Sequence, residues 1–324
     1  MLENKIFTIS SSEEFATLAL EIFQLQYNKV KVYRNFCDLL KTTPASVKTI
    51  QDIPFLPIDF FKQQPVISSE KTSEITFISS GTTDSIPSKH YVADLELYKR
   101  SFTSAFSEFY GPPREFIILA LLPSYMEREG SSLLFMVEHL IKESKDVQSG
   151  FYLNNSEVLI EKLHQLENQN KKILLIGVSY ALLDLIENQS FRLKNTVIME
   201  TGGMKGRRKE MIKDELHEIL KNGFGVSRIH SEYGMTELLS QAYSKGEGVF
   251  MCPPWMQILI RDPEDPLTLF DGKTGGINVI DLANIHSCSF IATQDLGKVN
   301  ADGSFEILGR FDTSDIRGCN LLVL

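Results

Sequence analysis

No apolar run in this sequence is long enough to cross a bilayer. The longest, around Phe116 to Leu122, falls far short of the roughly 20 residues a spanning helix needs. The start, Met1-Leu2-Glu3-Asn4-Lys5, lacks the basic segment, apolar stretch and small-residue cleavage site of a secretory leader, so a cytoplasmic location is expected. Cysteine is scarce: the four, Cys37, Cys252, Cys288 and Cys319, lie far apart with no Cys-x-x-Cys pair. That spacing excludes a zinc finger or a dense disulfide framework and fits reduced thiols. Excess positive charge is also missing. A net charge of -9 argues against a broad electrostatic grip on nucleic acid, although an acidic chain still binds ATP through local donors and Mg²⁺.

What remains is an ordinary globular composition, 43% apolar and 23% charged over 324 residues, enough for one large domain or two closely joined ones. Apolar residues at helical spacing run from about Glu13 to Leu40, with Ser12 ahead of Glu13 and Glu14 as a helix start. Pro54, Pro57 and Pro65 predict an extended stretch between Ile53 and Val66. From Glu74 onward, strands and helices alternate. Strands are expected at Ile75–Ile78, Phe116–Leu121, Ile173–Ile176, Thr196–Met199 and Arg228–Ser231, and helices at Asp94–Phe109, Ser131–Glu143 and Arg207–Leu220. This rhythm implies a largely parallel, helix-covered sheet. After Val249 the pattern changes to short strand-like runs at Met256–Arg261, Gly276–Ile280, Ser289–Ile291 and Ser304–Leu308, divided by Gly, Asp, Asn and Pro. The expected organisation is therefore an α/β core over 1–248 and a β-rich antiparallel subdomain over 249–324.

Two segments carry chemistry. Ser79-Ser80-Gly81-Thr82-Thr83 leaves a predicted strand and turns toward Lys89 and His90. Hydroxyls and free backbone N–H groups there can surround phosphate oxygens, Gly81 permits close approach and Lys89 supplies charge. The Walker spacing is absent, and Ser-Thr-Gly clusters also occur as plain polar turns. Tyr233-Gly234-Met235-Thr236-Glu237 follows a second predicted strand through Ile229 and His230. Together the two segments resemble the paired signature of the adenylate-forming superfamily of acyl-CoA synthetases and nonribosomal adenylation domains.

Within that superfamily the chain is most similar to the LuxE-type acyl-protein synthetases, with phenylacetate-CoA ligases as more distant relatives. The resembling segments run in family order: Ile53-Pro54-Phe55-Leu56-Pro57, the loop to Ser88-Lys89-His90, Leu122-Pro123-Ser124-Tyr125, Gly130-Ser131-Ser132-Leu133, Thr201-Gly202-Gly203-Met204, Gln294-Asp295-Leu296-Gly297, and Gly309-Arg310-Phe311-Asp312 to Cys319. The resemblance implies that Ser79 to Thr83 cradle ATP phosphates and that Gly202 and Gly203 border the adenine pocket beside Tyr233 and Gly234. It gives Thr236 a phosphate, Glu237 a Mg²⁺ ion, Asp295 the ribose hydroxyls and Arg310 the ribose or phosphates. Read without it, Glu237 is a helix-start residue, Asp295 a turn former and Arg310 a surface ion pair.

Two departures stand out. Asp84 takes the place of a glycine after Thr83, and only twelve residues follow Asp312, leaving no room for the family's mobile C-terminal domain and its lysine. In the resembling synthetases a cysteine near the C-terminus carries the acyl group. Cys319 is the matching nucleophile beside Arg317; the alternative is a small buried residue. Acyl-pocket lining is expected from Leu122 to Met136 and Met199 to Met204, with Tyr125, Met126 and Met204 as candidates and His230 as a wall residue. The implied activity is ATP- and Mg²⁺-dependent activation of a fatty or aryl acid, with transfer to a thiol or an acceptor protein. The alternatives are a binding module without turnover and a CoA-type ligase that needs a partner domain.

Overall fold

The computed structural model describes residues 2–79, 86–123, 130–152, 156–187, 189–202, 208, 211–270 and 272–311. Three N-terminal helices open the chain: α1 (Leu2–Ile6), α2 (Ser12–Lys29), capped by the Ser11 hydroxyl, and α3 (Lys31–Leu39). The proline-bounded stretch is not wholly extended. After the short strand β1 (Leu56–Pro57) it forms one helical turn, α4 (Phe60–Gln63), between Pro57 and Pro65, where every residue can take helical angles. A hairpin follows, β2 (Ile75–Ile78) and β3 (Lys89–Val92).

Helix α5 (Leu95–Tyr110) begins where expected, its N-cap Asp94 accepting from the Leu97 N–H. The α/β portion continues through β4 (Ile117–Leu121), α6 (Ser132–Ser144), β5 (Gly150–Phe151), α7 (Ser156–Glu167), β6 (Ile173–Val178), α8 (Ser179–Glu187), β7 (Thr196–Thr201), α9 (Lys213–Phe224) and β8 (His230–Tyr233). Helix α9 starts later than the expected Arg207, leaving Arg208, Met211 and Ile212 outside it. Strands β4 and β6 are buried along their whole length, as parallel strands covered on both faces must be.

Strands β9 (Ala242–Ser244) and β10 (Val249–Met251) then turn the sheet antiparallel, followed by β11 (Met256–Arg261), β12 (Gly275–Asp281), β13 (Phe290–Val299) and β14 (Phe305–Arg310). Among the described residues, twelve strands form one sheet in the order β11-β12-β13-β14-β10-β9-β8-β7-β6-β4-β5, with β1 parallel to β13. Strands β4 to β8 are mutually parallel, and the strands from β9 onward pair antiparallel. Helices α8 and α9 pack side by side on one face of the parallel part, and α5 and α6 on the other.

No helix among the described residues is long and apolar enough to cross a membrane. The single tryptophan, Trp255, is buried edge-on to Phe7, and its indole N–H donates to the hydroxyls of Ser101 and Ser240 at 3.1 and 3.0 Å.

Candidate nucleotide and acyl site

Ligands of open α/β sheets bind beyond the carboxyl ends of the parallel strands. Here those ends belong to β7 and β8, whose register pairs Glu200 with Ser231 and so brings Thr201 beside Glu232. Just beyond β7, Gly202 has φ 75°, a left-handed conformation that residues with a Cβ rarely adopt. Beyond β8 runs the turn Gly234-Met235-Thr236-Glu237.

Side chains alternate faces along β8. Ser231 and Tyr233 face one way, Ser231 toward His217 of α9, while His230 and Glu232 face the other, His230 toward Tyr110 of α5. The Tyr233 hydroxyl donates to Asp295 Oδ2 at 2.8 Å. Asp295 lies opposite Arg310 in the β13–β14 ladder, and the Arg310 Nε sits 3.1 Å from Asp295 Oδ1. Burial and the neighbouring Asp295 carboxylate push the Tyr233 phenol well above its ordinary range, so it remains a donor. The Tyr233 ring packs against Phe250 and Phe305 at 6.0 and 5.7 Å.

The hairpin meets the turn. Ser79 and Ser88 close its neck: Ser79 N–H donates to the Ser88 carbonyl at 3.0 Å, and Ser88 N–H donates to Ser79 Oγ at 2.8 Å. The Ser88 side chain lies close to the Glu237 carboxylate and favours its charged form. His90 donates from Nδ1 to the Thr236 carbonyl at 2.9 Å, while its Nε2 accepts from Ser287 Oγ at 2.9 Å. A carbonyl only accepts, so these partners fix the neutral tautomer, and burial holds the ring down to about 4. His90 is therefore an anchor between hairpin and turn. Lys89 is exposed and alternates to the hairpin face opposite Ser88 and His90.

Glu237 is 5% exposed, and its pKa is raised by burial against the opposing pull of Ser88, Arg310 and Lys62. A carboxylate stripped of water without a full counter-charge gains from a hard cation. Among the described residues no three His, Cys, Asp or Glu side chains converge as a metal cage. A cation at Glu237 would thus take further ligands from phosphate oxygens and water, as Mg²⁺ commonly does. From behind, Asp281 accepts from the Leu239 and Ser240 N–H groups, both at 2.9 Å, and Asn284 donates to the Glu237 carbonyl at 2.7 Å.

Of the residues expected from sequence, the structure brings Ser79, Tyr233, Gly234, Thr236, Glu237, Asp295 and Arg310 onto linked elements around one end of β8. Ser80, Gly81, Thr82, Thr83, Asp84, Tyr125, Met126, Gly203, Met204 and Cys319 lie outside the described residues. Sequence reasoning missed the roles of Ser88, Thr201, Glu232, Asp281, Asn284 and Ser287. The one signal available was the position of Ser88 and Glu232 immediately beside motif residues. A groove of about 480 Å³ lined by Phe109, Arg228, Tyr243 and Lys245 lies at the other end of β8, away from Glu237 and Asp295.

A model of the family described as "Acyl-protein synthetase, LuxE" matches residues 5–324. No curated protein sequence matches. Among solved structures, an open conformation of 2-hydroxyisobutyryl-CoA ligase in complex with 2-HIB-AMP and CoA superimposes with a TM-score of 0.67 at 12% identity, covering 94% of this chain and 72% of that one. The same ligase in its postadenylation state with 2-HIB-AMP gives 0.68 at 14% identity, covering 94% and 69%. ATP-bound MatB from Rhodopseudomonas palustris gives 0.53 at 15% identity, covering 72% of this chain and 47% of MatB. At these identities the likeness shows a shared fold, that of adenylate-forming ligases.

Proposed function

The chain belongs to the LuxE acyl-protein synthetase family, and on that premise we propose that it condenses a carboxylic acid with ATP to an acyl-adenylate and passes the acyl group to a thiol. The observation that carries this reading is the docking of the hydroxyl-rich hairpin onto the turn after β8, through His90 Nδ1 to the Thr236 carbonyl at 2.9 Å. That contact sets the neck of the Ser79–Thr83 loop beside the acid of the second motif.

In the reaction, a carboxylate oxygen of the substrate attacks the α-phosphorus. The bond to the bridging oxygen breaks, and pyrophosphate departs with the electron pair. The protein's task is to hold two anions in line and to offset charge growing on the leaving group. Asp295 suits the ribose: Tyr233 and Arg310 each occupy one of its oxygens, and spare lone pairs remain for sugar hydroxyls. Ser79 to Thr83 and Thr236 would donate to phosphate oxygens, with Gly202, Gly203 and Gly234 leaving room for the base, and Lys89 would supply charge from the loop's margin. Mg²⁺ bound through Glu237 and the phosphates would neutralise charge there.

A thiolate then attacks the acyl carbon and displaces AMP. Cys319 is the proposed acyl carrier, ahead of transfer to an acceptor protein. The other cysteines are poor nucleophiles: burial pushes Cys37 up to about 12 and also raises Cys252 and Cys288. Fatty and aryl acids are the proposed substrate class, with 1–248 as the core and 249–324 completing the nucleotide site.

ATP–pyrophosphate exchange with a panel of carboxylic acids tests the reading. Exchange should appear with at least one acid and fall by about 10²–10³-fold in Glu237→Gln. Nucleotide binding without exchange for any acid would overturn the proposal.

A further inference from the structure

We propose that Lys62, on the single helical turn α4, is a phosphate-contacting residue of the site: its ammonium group donates to the triphosphate of ATP and offsets charge on the departing pyrophosphate. The inference rests on the adenylation reading above and adds a residue to it.

Helix α4 is pinned between the two elements that carry the proposed nucleotide contacts. On one side, β13 receives two neighbours in succession. The Ala292 carbonyl accepts from the Ile58 N–H at 3.0 Å, just before α4, and the Gln294 carbonyl accepts from the Phe311 N–H at 2.8 Å, just after Arg310. The turn therefore starts beside the strand ends that bear Asp295 and Arg310. On the other side, Phe61 packs edge-on to the His90 ring with centroids 5.5 Å apart, and His90 holds the Thr236 carbonyl. Lys62, the next residue after Phe61, thus belongs to a turn that bridges the strand of Asp295 and the turn of Thr236 and Glu237.

The head of Lys62 is clamped. Its Nζ donates to Asp59 Oδ1 at 2.7 Å, and Asp59 Oδ2 accepts from Gln294 Nε2 at 2.8 Å, so the aspartate joins the lysine to the neighbour of Asp295. The Lys62 side chain is 33% exposed, and its field reaches the buried Glu237 carboxylate together with that of Arg310. Two cations, each steadied by an aspartate, therefore act on the acid proposed to hold Mg²⁺: Arg310 on Asp295 and Lys62 on Asp59. An ammonium group has three donors and Asp59 takes one, which leaves two for phosphate oxygens. As an ordinary i,i+3 surface pair, Lys62–Asp59 would contribute little. That reading leaves the Gln294 tie and the pull on Glu237 without a purpose, whereas a cation fixed in place before the reaction is what a growing negative charge requires.

The test joins nucleotide binding to exchange, both on the full chain. Lys62→Met should weaken ATP binding by about 10–100-fold and leave adenosine binding unchanged, because the cation serves the phosphates and not the nucleoside. It should also lower kcat of ATP–pyrophosphate exchange by on the order of 10²-fold, and Lys62→Arg, which restores the charge, should recover most of both losses. Lys99→Met is the control: Lys99 makes the same i,i+3 pair with Glu96 on α5, at 2.6 Å, and its loss should alter neither measurement. Unchanged ATP affinity in Lys62→Met would overturn the inference. An equal loss for ATP and adenosine would also overturn it, since Lys62 would then brace the fold rather than meet the phosphates. If the wild type exchanges with no acid, the adenylation reading falls, and the comparison of ATP with adenosine still decides whether Lys62 meets the phosphates.

Discussion

Glu232 and His90 show how burial sets the charge of single residues here. A carboxyl whose folded pKa lies above its unfolded value binds its proton more tightly in the folded protein. Between about 4.5 and about 7 the folded state therefore holds more protons than the unfolded one, and stability falls as pH rises through that window. His90, held down to about 4 by burial, has the opposite slope: its stability is lost as pH falls from about 6.5 toward 4. The two trends offset each other in the wild type, so the clean measurement is a difference. Glu232→Gln should gain about 1–3 kcal/mol over the wild type at pH 8 and close to nothing at pH 4.5, read as the gap in Tm across pH. Thr236, Glu237, Tyr233 and Asp295 were legible because each stands inside a short ordered motif. The importance of Ser88 and Asn284 was not, since their partners are fixed by contacts 149 and 47 positions away in the chain.

The turn that carries Glu237 is an element without repetitive structure, held by its surroundings. Asp281 heads the 3₁₀ turn Leu282–Asn284 and grips Leu239 and Ser240, while Asn284 grips the Glu237 and Cys288 carbonyls. Gln26 of α2 reaches in to donate to the Asn284 carbonyl at 2.9 Å, tying the N-terminal helices to the site's support. Asn284→Ala would leave the Glu237 carbonyl without its side-chain donor and remove one of two acceptors from Leu239 N–H. The expected cost is about 2–4 kcal/mol in urea unfolding, with a fall in kcat of exchange larger than any change in KM for ATP. Among the elements, α5 and α6 were legible from amphipathic spacing and a capping Asp94 or Ser131. Strands β9 and β10 were not, because three-residue strands contain too few positions to display a period, and β3 was hidden at the end of a polar turn. Helix α4 was hidden by flanking prolines that permit a single turn between them.

At the scale of the molecule, a parallel and an antiparallel half share one sheet, and the proposed nucleotide site lies where they join. The βα rhythm made the parallel half legible, and the Gly- and Asp-divided strands made the antiparallel half legible. Their junction was not, because it depends on β10 pairing with β14, a long-range register with no sequence signal. Phe305 and Phe250 brace that junction beneath Tyr233, both fully buried and 5.4 Å apart. Phe305→Ala should cost about 3–5 kcal/mol on chemical denaturation, and should weaken ATP binding although Phe305 meets the site only through the Tyr233 ring. The lone Trp255 leans on the same architecture, its indole sharing Ser240 with the Asp281 grip behind Glu237. The protein thus carries a single indole wired by hydrogen bonds to the back of the turn after β8, and its emission, excited selectively at long wavelength, offers a label-free gauge of what happens there.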